Sequence, residues 1–101
     1  MIKHINEEKE FNEFIKEGLV LIDFFATWCG PCKMLSPVIE QVEREHQDLK
    51  VVKVDVDEAP AIAAKYGIQA IPTLFLVKDG QVVANQMGYL NKNQLENFIN
   101  K

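Results

Sequence analysis

The chain has 101 residues, of which 48% are hydrophobic and 26% charged, and this composition predicts one globular domain over residues 1–101. Eleven lysines and arginines against fifteen aspartates and glutamates give a net charge of −4, which argues against a nucleic-acid partner and against binding to an anionic membrane. Neither a signal-peptide core nor a membrane-spanning apolar run is present, so we expect a cytoplasmic protein.

The first part of the chain predicts a strand, a helix and a second strand. Residues 2–5 form the strand candidate, Asn6 is a suitable helix N-cap, and an apolar stripe at helical spacing continues to Gly18. Residues 19–26 are almost entirely apolar, which is typical of a central strand that is covered on both faces. Asp23 interrupts this strand, and burial there is expected to raise its pKa because the charged form loses its solvation.

The middle of the chain predicts two helices on either side of a strand. Apolar residues at helical spacing predict the first helix over residues 31–46, with Pro37 inside it. Residues 50–56 alternate in polarity and are rich in valine, which indicates a second interior strand. A short helix then starts within residues 57–60 and stops at Gly67.

The last part of the chain predicts a hairpin and a final helix. Ile71-Pro72 marks a turn before a strand over residues 73–77, and Asp79-Gly80 is a strong hairpin signal that leads into residues 82–87. Asn91 and Gln94 match a capping box for the last helix. The whole order predicts an α/β fold with a mixed five-stranded sheet and four helices, parallel at first and antiparallel at the hairpin.

The two cysteines of the chain, Cys29 and Cys32, stand close after the apolar strand. Gly30 and Pro31 between them favour the tight turn that a small disulfide ring needs. A helix starting here would put Cys29 at its N-terminus, where free N–H groups favour a thiolate, and would leave Cys32 shielded one turn further in. This arrangement predicts thiol–disulfide exchange, with Cys29 as the nucleophile and Cys32 as the resolving thiol.

Other interpretations compete for the same residues. Zinc usually needs four ligands, and only His4 and His46 remain, at no ligand spacing, so we expect no metal site. A purely structural disulfide is disfavoured because so small a ring restrains little chain entropy. Asp23 either exchanges a proton with Cys32 or is a strand-end carboxylate that is bonded to nearby backbone or partly solvated. Lys53 either neutralises Asp23 or reaches for solvent with its stem on the core, and the residues alone favour the second.

Short motifs that together make one recognisable pattern are spread over nearly the whole chain. They are Asp23-Phe24, Ala26, Trp28-Cys29-Gly30-Pro31-Cys32-Lys33, Pro37, Lys53-Val54-Asp55, Tyr66-Gly67-Ile68, Ile71-Pro72-Thr73 and Gly80. With these motifs the chain resembles the thioredoxin family. This resemblance implies the thioredoxin fold, in which helices flank a mixed five-stranded sheet. Two positions depart from the usual pattern, namely Phe25, where many members have a second tryptophan, and Tyr89, where a smaller residue is common.

The resemblance also implies roles that spacing alone does not give. Pro72 is expected in the cis form beside the sulfurs, Asp23 as the proton-transfer residue, and Lys53 as its partner. The backbone of Ile71 is expected to offer strand-like hydrogen bonds to an extended substrate. A shallow apolar groove around an exposed Cys29 is expected to be lined by Trp28, Gly30, Ile71, Pro72 and Gly88.

The function implied by the resemblance is general reduction of protein disulfides. Such a protein would be a monomer with no cofactor of its own, would donate electrons to cytosolic reductive enzymes, and would be reduced by thioredoxin reductase, a flavin enzyme that uses NADPH. An oxidase or isomerase of an oxidising compartment would need a signal sequence, and it would usually carry a histidine before the second cysteine. A redox-inactive binding module is disfavoured because Cys29, Cys32, Asp23 and Pro72 are all intact.

Overall fold

Five strands and four helices make up the computed structural model, which describes residues 1–101. In chain order they are β1 (Ile2–His4), α1 (Glu8–Phe14), β2 (Leu19–Phe25), α2 (Gly30–Glu45), β3 (Leu49–Asp55), α3 (Pro60–Lys65), β4 (Thr73–Lys78), β5 (Gln81–Met87) and α4 (Lys92–Ile99). The predicted order of strands and helices is confirmed. None of the helices has both the length and the apolar character needed to cross a membrane.

The strands form one mixed sheet in the order β1-β3-β2-β4-β5. Strands β1, β3 and β2 run parallel, whereas β4 is antiparallel to both β2 and β5, as predicted. The central strand β2 therefore has a neighbour on each side. Its register places Asp23 directly beside Lys53 of β3 and Leu74 of β4.

The side chains of β2 alternate between two apolar cores. Leu21 belongs to the core beneath α2 and α4, whereas Val20, Ile22 and Phe24 belong to the core on the opposite face, beneath α1 and α3. Burial of each large apolar side chain stabilises the fold by roughly 1.5–3 kcal/mol. Because successive residues of a strand point to opposite faces, Asp23 shares the face of Leu21 and is directed toward α2.

The first helix differs from its predicted bounds at both ends. Glu7, not Asn6, is the N-cap, because its carboxylate accepts the N–H groups of Lys9 at 2.9 Å and Glu10 at 3.0 Å. These two backbone hydrogen bonds lower the pKa of Glu7. At the other end the helix stops at Phe14 rather than at Gly18, because the chain must turn before Leu19 to align the next strand.

Two local signals near the C-terminus are confirmed. Asp79 and Gly80 both have positive φ, +48° and +84°, which is the backbone conformation that a two-residue hairpin turn requires. Asn91 and Gln94 form the predicted capping box, in which each side-chain oxygen accepts the other residue's N–H at 2.9 Å.

Candidate active site

Cys29 and Cys32 form a disulfide at the N-terminus of α2, with their Cα atoms 5.3 Å apart. Cys29 is the N-cap of this helix, and its Sγ accepts the N–H of Cys32 at 3.2 Å. Gly30 and Pro31 occupy the first helical positions, where the missing N–H of proline leaves no helical hydrogen bond unmade. The predicted ring and its place at a helix N-terminus are confirmed.

The predicted exposure of Cys29 is wrong for this oxidised form. Cys29 is 5% exposed and Cys32 is 3% exposed, so the two residues hardly differ in solvent access. The disulfide ties the Cys29 sulfur back to the helix, where both cysteines pack with Ala26 and against Ile71. Any difference between the two sulfurs in this form must therefore come from their partners rather than from their exposure.

Asp23 is buried under α2 without a hydrogen-bond partner. It is 1% exposed, and neither of its carboxylate oxygens accepts a hydrogen bond. The alternative of a carboxylate that is bonded to nearby backbone or partly solvated is therefore wrong. Loss of solvation raises the pKa of Asp23 to about 6, against the opposing effect of the charge on Lys53.

Lys53 is the cation beside this carboxyl group. Its Nζ lies 3.7 Å from Oδ2 of Asp23, donates a hydrogen bond of 2.6 Å to Oγ of Ser36, and lies 5.2 Å from the ring centre of Phe25. The side chain is only 12% exposed, so the solvent-seeking interpretation is wrong. The pairing register of β2 with β3 places the two residues side by side.

A cavity of about 280 Å³ has both Cys32 and Lys53 in its wall. Its lining residues are Phe25, Ala26, Thr27, Cys32, Lys33, Ser36 and Lys53. The cavity is large enough for water, and its wall carries a hydroxyl and an ammonium group that water can hydrogen-bond. Asp23 itself is not part of this wall, and Lys53 is the lining residue that stands beside it.

Trp28 lies on the surface at the other side of the disulfide. It is 69% exposed, and its Nε1–H donates to Oδ2 of Asp57 at 2.8 Å. An apolar cleft of about 210 Å³ runs beside it, lined by Trp28, Val56, Ala63, Ile68, Gln69, Ala70 and Ile71. Of the five predicted groove residues, Trp28 and Ile71 line this cleft, whereas Gly30, Pro72 and Gly88 do not.

The loop before β4 presents free backbone groups next to the disulfide. The Ile71–Pro72 peptide bond is cis, as the resemblance implied. The carbonyl of Pro72 accepts the N–H of Gly88 at 2.8 Å, whereas the N–H and carbonyl of Ile71 take part in no hydrogen bond within the chain. Since the side chain of Ile71 packs against the cysteines, its unpaired backbone lies close to the reacting sulfurs.

The structure places no metal-binding group of side chains anywhere in the chain. No three residues among the histidines, cysteines, aspartates and glutamates come together to hold an ion. His4 packs edge-on against Phe25, with ring centres 5.8 Å apart, and His46 contacts Glu96 at 2.6 Å. The two histidines therefore have separate structural contacts.

Two residues of the site were not identified from the sequence. Ser36 stands one helical turn after Cys32, and this spacing puts both side chains on one face of α2. Asp57 follows the end of β3, and parallel strands such as β3 and β2 end at the same edge of a sheet. Helix spacing and strand order could therefore have suggested both positions, but not their hydrogen-bond partners.

Comparisons with known proteins agree with this geometry. The family model described as Thioredoxin matches residues 2–101. The chain is 50% identical over 101 residues to a thioredoxin of Chlamydia caviae, covering 100% of this chain and 98% of the relative, and 48% identical over 95 residues to a thioredoxin of Bacillus subtilis, covering 93% and 91%. Its fold is similar to that of oxidised mitochondrial thioredoxin 3 from Saccharomyces cerevisiae, with a TM-score of 0.91, 41% identity, and coverage of 98% of this chain and 93% of that chain.

Proposed function

Because the chain belongs to the thioredoxin family and is a thiol–disulfide oxidoreductase, we propose that it is a general reductant of protein disulfides. The observation that carries this proposal is the Cys29–Cys32 disulfide at the N-terminus of α2, with a buried, unpartnered Asp23 beneath the same helix. A disulfide that served stability alone would not need an ionisable group buried nearby without hydrogen bonds.

In the first step, the thiolate of reduced Cys29 attacks one sulfur of a substrate disulfide. A Cys29–substrate disulfide forms, and the second substrate sulfur leaves as a thiolate. The N–H of Cys32, which reaches the Cys29 sulfur at 3.2 Å in the oxidised form, stabilises the attacking thiolate together with the positive end of the α2 dipole.

In the second step, Cys32 resolves the mixed disulfide. Its thiol gives up a proton and attacks the Cys29 sulfur, which closes the Cys29–Cys32 disulfide and releases the other substrate sulfur as a thiolate. Two electrons have then passed from the dithiol to the substrate. Asp23 accepts the proton through the cavity beside Lys53, and its raised pKa of about 6 makes it a stronger base than an ordinary aspartate while it stays mostly ionised at neutral pH.

Substrates bind beside Trp28 and Ile71. The free N–H and carbonyl of Ile71 pair with an extended substrate segment as an added strand would, and the apolar cleft takes one of its side chains. Main-chain pairing carries little sequence information, which suits a reductant of many different proteins.

The reduced form is regenerated by thioredoxin reductase with electrons from NADPH, and the protein serves cytosolic reductive enzymes. The Gly30-Pro31 pair supports this direction, because it offers no side-chain donor to stabilise the Cys29 thiolate and so favours electron donation. An oxidase or isomerase would gain from the opposite bias.

Reduction of insulin by dithiothreitol, followed as turbidity, tests the proposal. We expect rapid precipitation with the wild type and background rates with Cys29→Ser, because the attacking sulfur is absent. Asp79→Asn, in the β4–β5 turn beside the start of β2, is the matched control and should retain wild-type turnover. Equal rates for the wild type and Cys29→Ser would overturn the proposed reaction.

A further inference from the structure

We propose that Ser36 is a positioning residue whose hydroxyl holds the Lys53 ammonium beside buried Asp23, within ion-pair distance but short of a hydrogen bond. The proposal deepens the proposed function and rests on it, since its consequence is the proton transfer assigned to Asp23. It follows from three distances and from the burial of the Asp23 and Lys53 side chains.

The first step of the argument is that Ser36 is the hydrogen-bond acceptor of Lys53. An ammonium group has three N–H donors, and on a side chain that is 12% exposed they have little access to bulk solvent outside the cavity. Within the chain, Nζ makes one hydrogen bond, to the Ser36 hydroxyl at 2.6 Å. The Phe25 ring, 5.2 Å away, attracts the charge but accepts no conventional hydrogen bond.

The second step is that Asp23 offers an alternative acceptor that is left unused. Both of its oxygens lack a partner, and Oδ2 lies 3.7 Å from Nζ, beyond the distance of about 2.8 Å that a charged hydrogen bond prefers. A small movement of a flexible lysine side chain would close this gap. The Ser36 hydroxyl opposes the movement because it binds the same ammonium from the α2 side.

The third step concerns which groups act on the carboxyl. The charged or titratable groups around Asp23 are Lys53 from β3 and, from α2 across the cavity, Cys32 when reduced and the exposed Lys33. The neighbour in β4, Leu74, is apolar. Lys53 is the cation that opposes the desolvation of Asp23, so its distance sets how readily the carboxyl takes up a proton.

Carbon-13 NMR of the Asp23 carboxyl group in the oxidised protein tests the proposal, with Asp23→Asn to assign the signal. In Ser36→Ala we expect Lys53 to close onto Asp23, and the carboxyl then titrates about one pH unit lower than in the wild type. Ser36→Thr keeps a hydroxyl and should titrate close to the wild type. Lys33→Ala removes an exposed cation whose charge is screened by solvent, so it should shift the titration far less than Ser36→Ala does.

A double variant shows whether Ser36 acts through Lys53. Ser36→Ala should have no further effect in a Lys53→Met background, because the ammonium it releases is absent. The proposal is overturned if Asp23 of Ser36→Ala titrates at or above the wild-type pH, or if the shift persists in Lys53→Met. Alanine is favoured in helices, so the variant is expected to fold.

The titration uses no substrate and no turnover, so its result is independent of the insulin assay. A wild-type protein that fails to reduce insulin would refute the proposed function and leave the titration intact. A protein that reduces insulin while Ser36→Ala titrates as the wild type would refute only the role of Ser36. If both proposals hold, the pH profile of the resolving step in Ser36→Ala moves to lower pH together with the carboxyl titration.

Discussion

Two aspartates at opposite ends of β2 have opposite environments. At the start of the strand, Asp79 of the β4–β5 turn accepts the N–H of Gly18 at 2.8 Å and donates its own N–H to the Gly18 carbonyl at 3.0 Å. Near its end, Asp23 is 1% exposed and accepts no hydrogen bond. The first carboxylate is exposed and accepts a hydrogen bond that joins two turns of the fold, whereas the second is buried and accepts none.

This difference separates a structural role from a chemical one. A hydrogen bond within a fold contributes about 1 kcal/mol, and an exposed carboxylate such as Asp79 can make one without losing its solvation. A buried carboxylate without partners opposes folding, and it is retained at the end of the sheet that carries the cysteines. We call the end of the sheet with Asp23 and the cysteines the chemical end, and the end with Asp79 the structural end. Each of the following substitutions tests whether the two ends differ in this way.

The largest expected effect comes from Cys32→Ser at the chemical end. Without the second thiol the mixed disulfide is not resolved, so turnover should fall to background and a covalent Cys29–substrate adduct should accumulate. Mass spectrometry of the protein after incubation with a disulfide substrate measures the adduct, and Asp79→Asn serves as the control that retains turnover. Absence of any adduct would remove Cys32 from the resolving role.

The next effect is the stabilisation expected for Asp23→Asn. The unfolded chain releases the Asp23 proton near pH 3.8 and the folded protein near pH 6, so the folded state binds more protons in between and its stability falls as pH rises through this window. Replacement by the neutral amide should therefore raise the free energy of unfolding by about 3 kcal/mol above pH 6, and by much less below pH 4.

Urea denaturation at pH 4 and pH 8 measures this difference. Asp79→Asn provides the same chemical change in the turn beside the start of β2. Asparagine suits this position because its side-chain oxygen can accept the N–H of Gly18 and because it tolerates the positive φ of +48°. It should change stability little at either pH. A gain for Asp23→Asn that is equal at both pH values would contradict a carboxyl group that changes its charge between them.

The fold was predictable where signals act over a few residues. The Asp79-Gly80 turn and the capping box of Asn91 with Gln94 depend only on neighbours along the chain, and both are present. The cap of α1 was missed because asparagine is the better N-cap in general, whereas here the longer side chain of Glu7 reaches the free N–H groups.

Most residues of the site were predictable from the sequence, but the contacts among Asp23, Lys53 and Ser36 were not. The spacing of Cys29 and Cys32 fixes their chemistry, and burial of Asp23 follows from the apolar strand around it. The contact of Lys53 with Asp23 depends on the register of two strands 30 residues apart in sequence, which the pattern of either strand leaves open. The bond from Lys53 to Ser36 further requires the orientation of α2 on the sheet.

A smaller effect is expected for Asp79→Ala at the structural end. The substitution removes the hydrogen bond from Gly18 and places an alanine at φ +48°, where a β-carbon is unfavourable. The free energy of unfolding should fall by about 1–2 kcal/mol, by the same amount at pH 6 and pH 8. Urea denaturation at both values measures it, and a loss that shrank as pH rose would make Asp79 resemble Asp23 and weaken the comparison.

The smallest effect is expected for Trp28→Phe, which keeps an aromatic ring at the chemical end but removes the donor to Asp57. The bond is exposed, so its loss should change stability by less than about 1 kcal/mol. We expect this bond to orient the ring for substrates, so KM for a protein disulfide should rise a few-fold in Trp28→Phe while kcat stays unchanged.

Asp57→Asn is the control, because it keeps the indole and weakens the bond. A rise in KM in both variants would come from ring orientation, whereas a rise in Trp28→Phe alone would come from lost contact surface. No change in either variant would place Trp28 outside the substrate-binding surface, and the chemical end would then be limited to the cysteines, Ile71 and the Asp23–Lys53 pair.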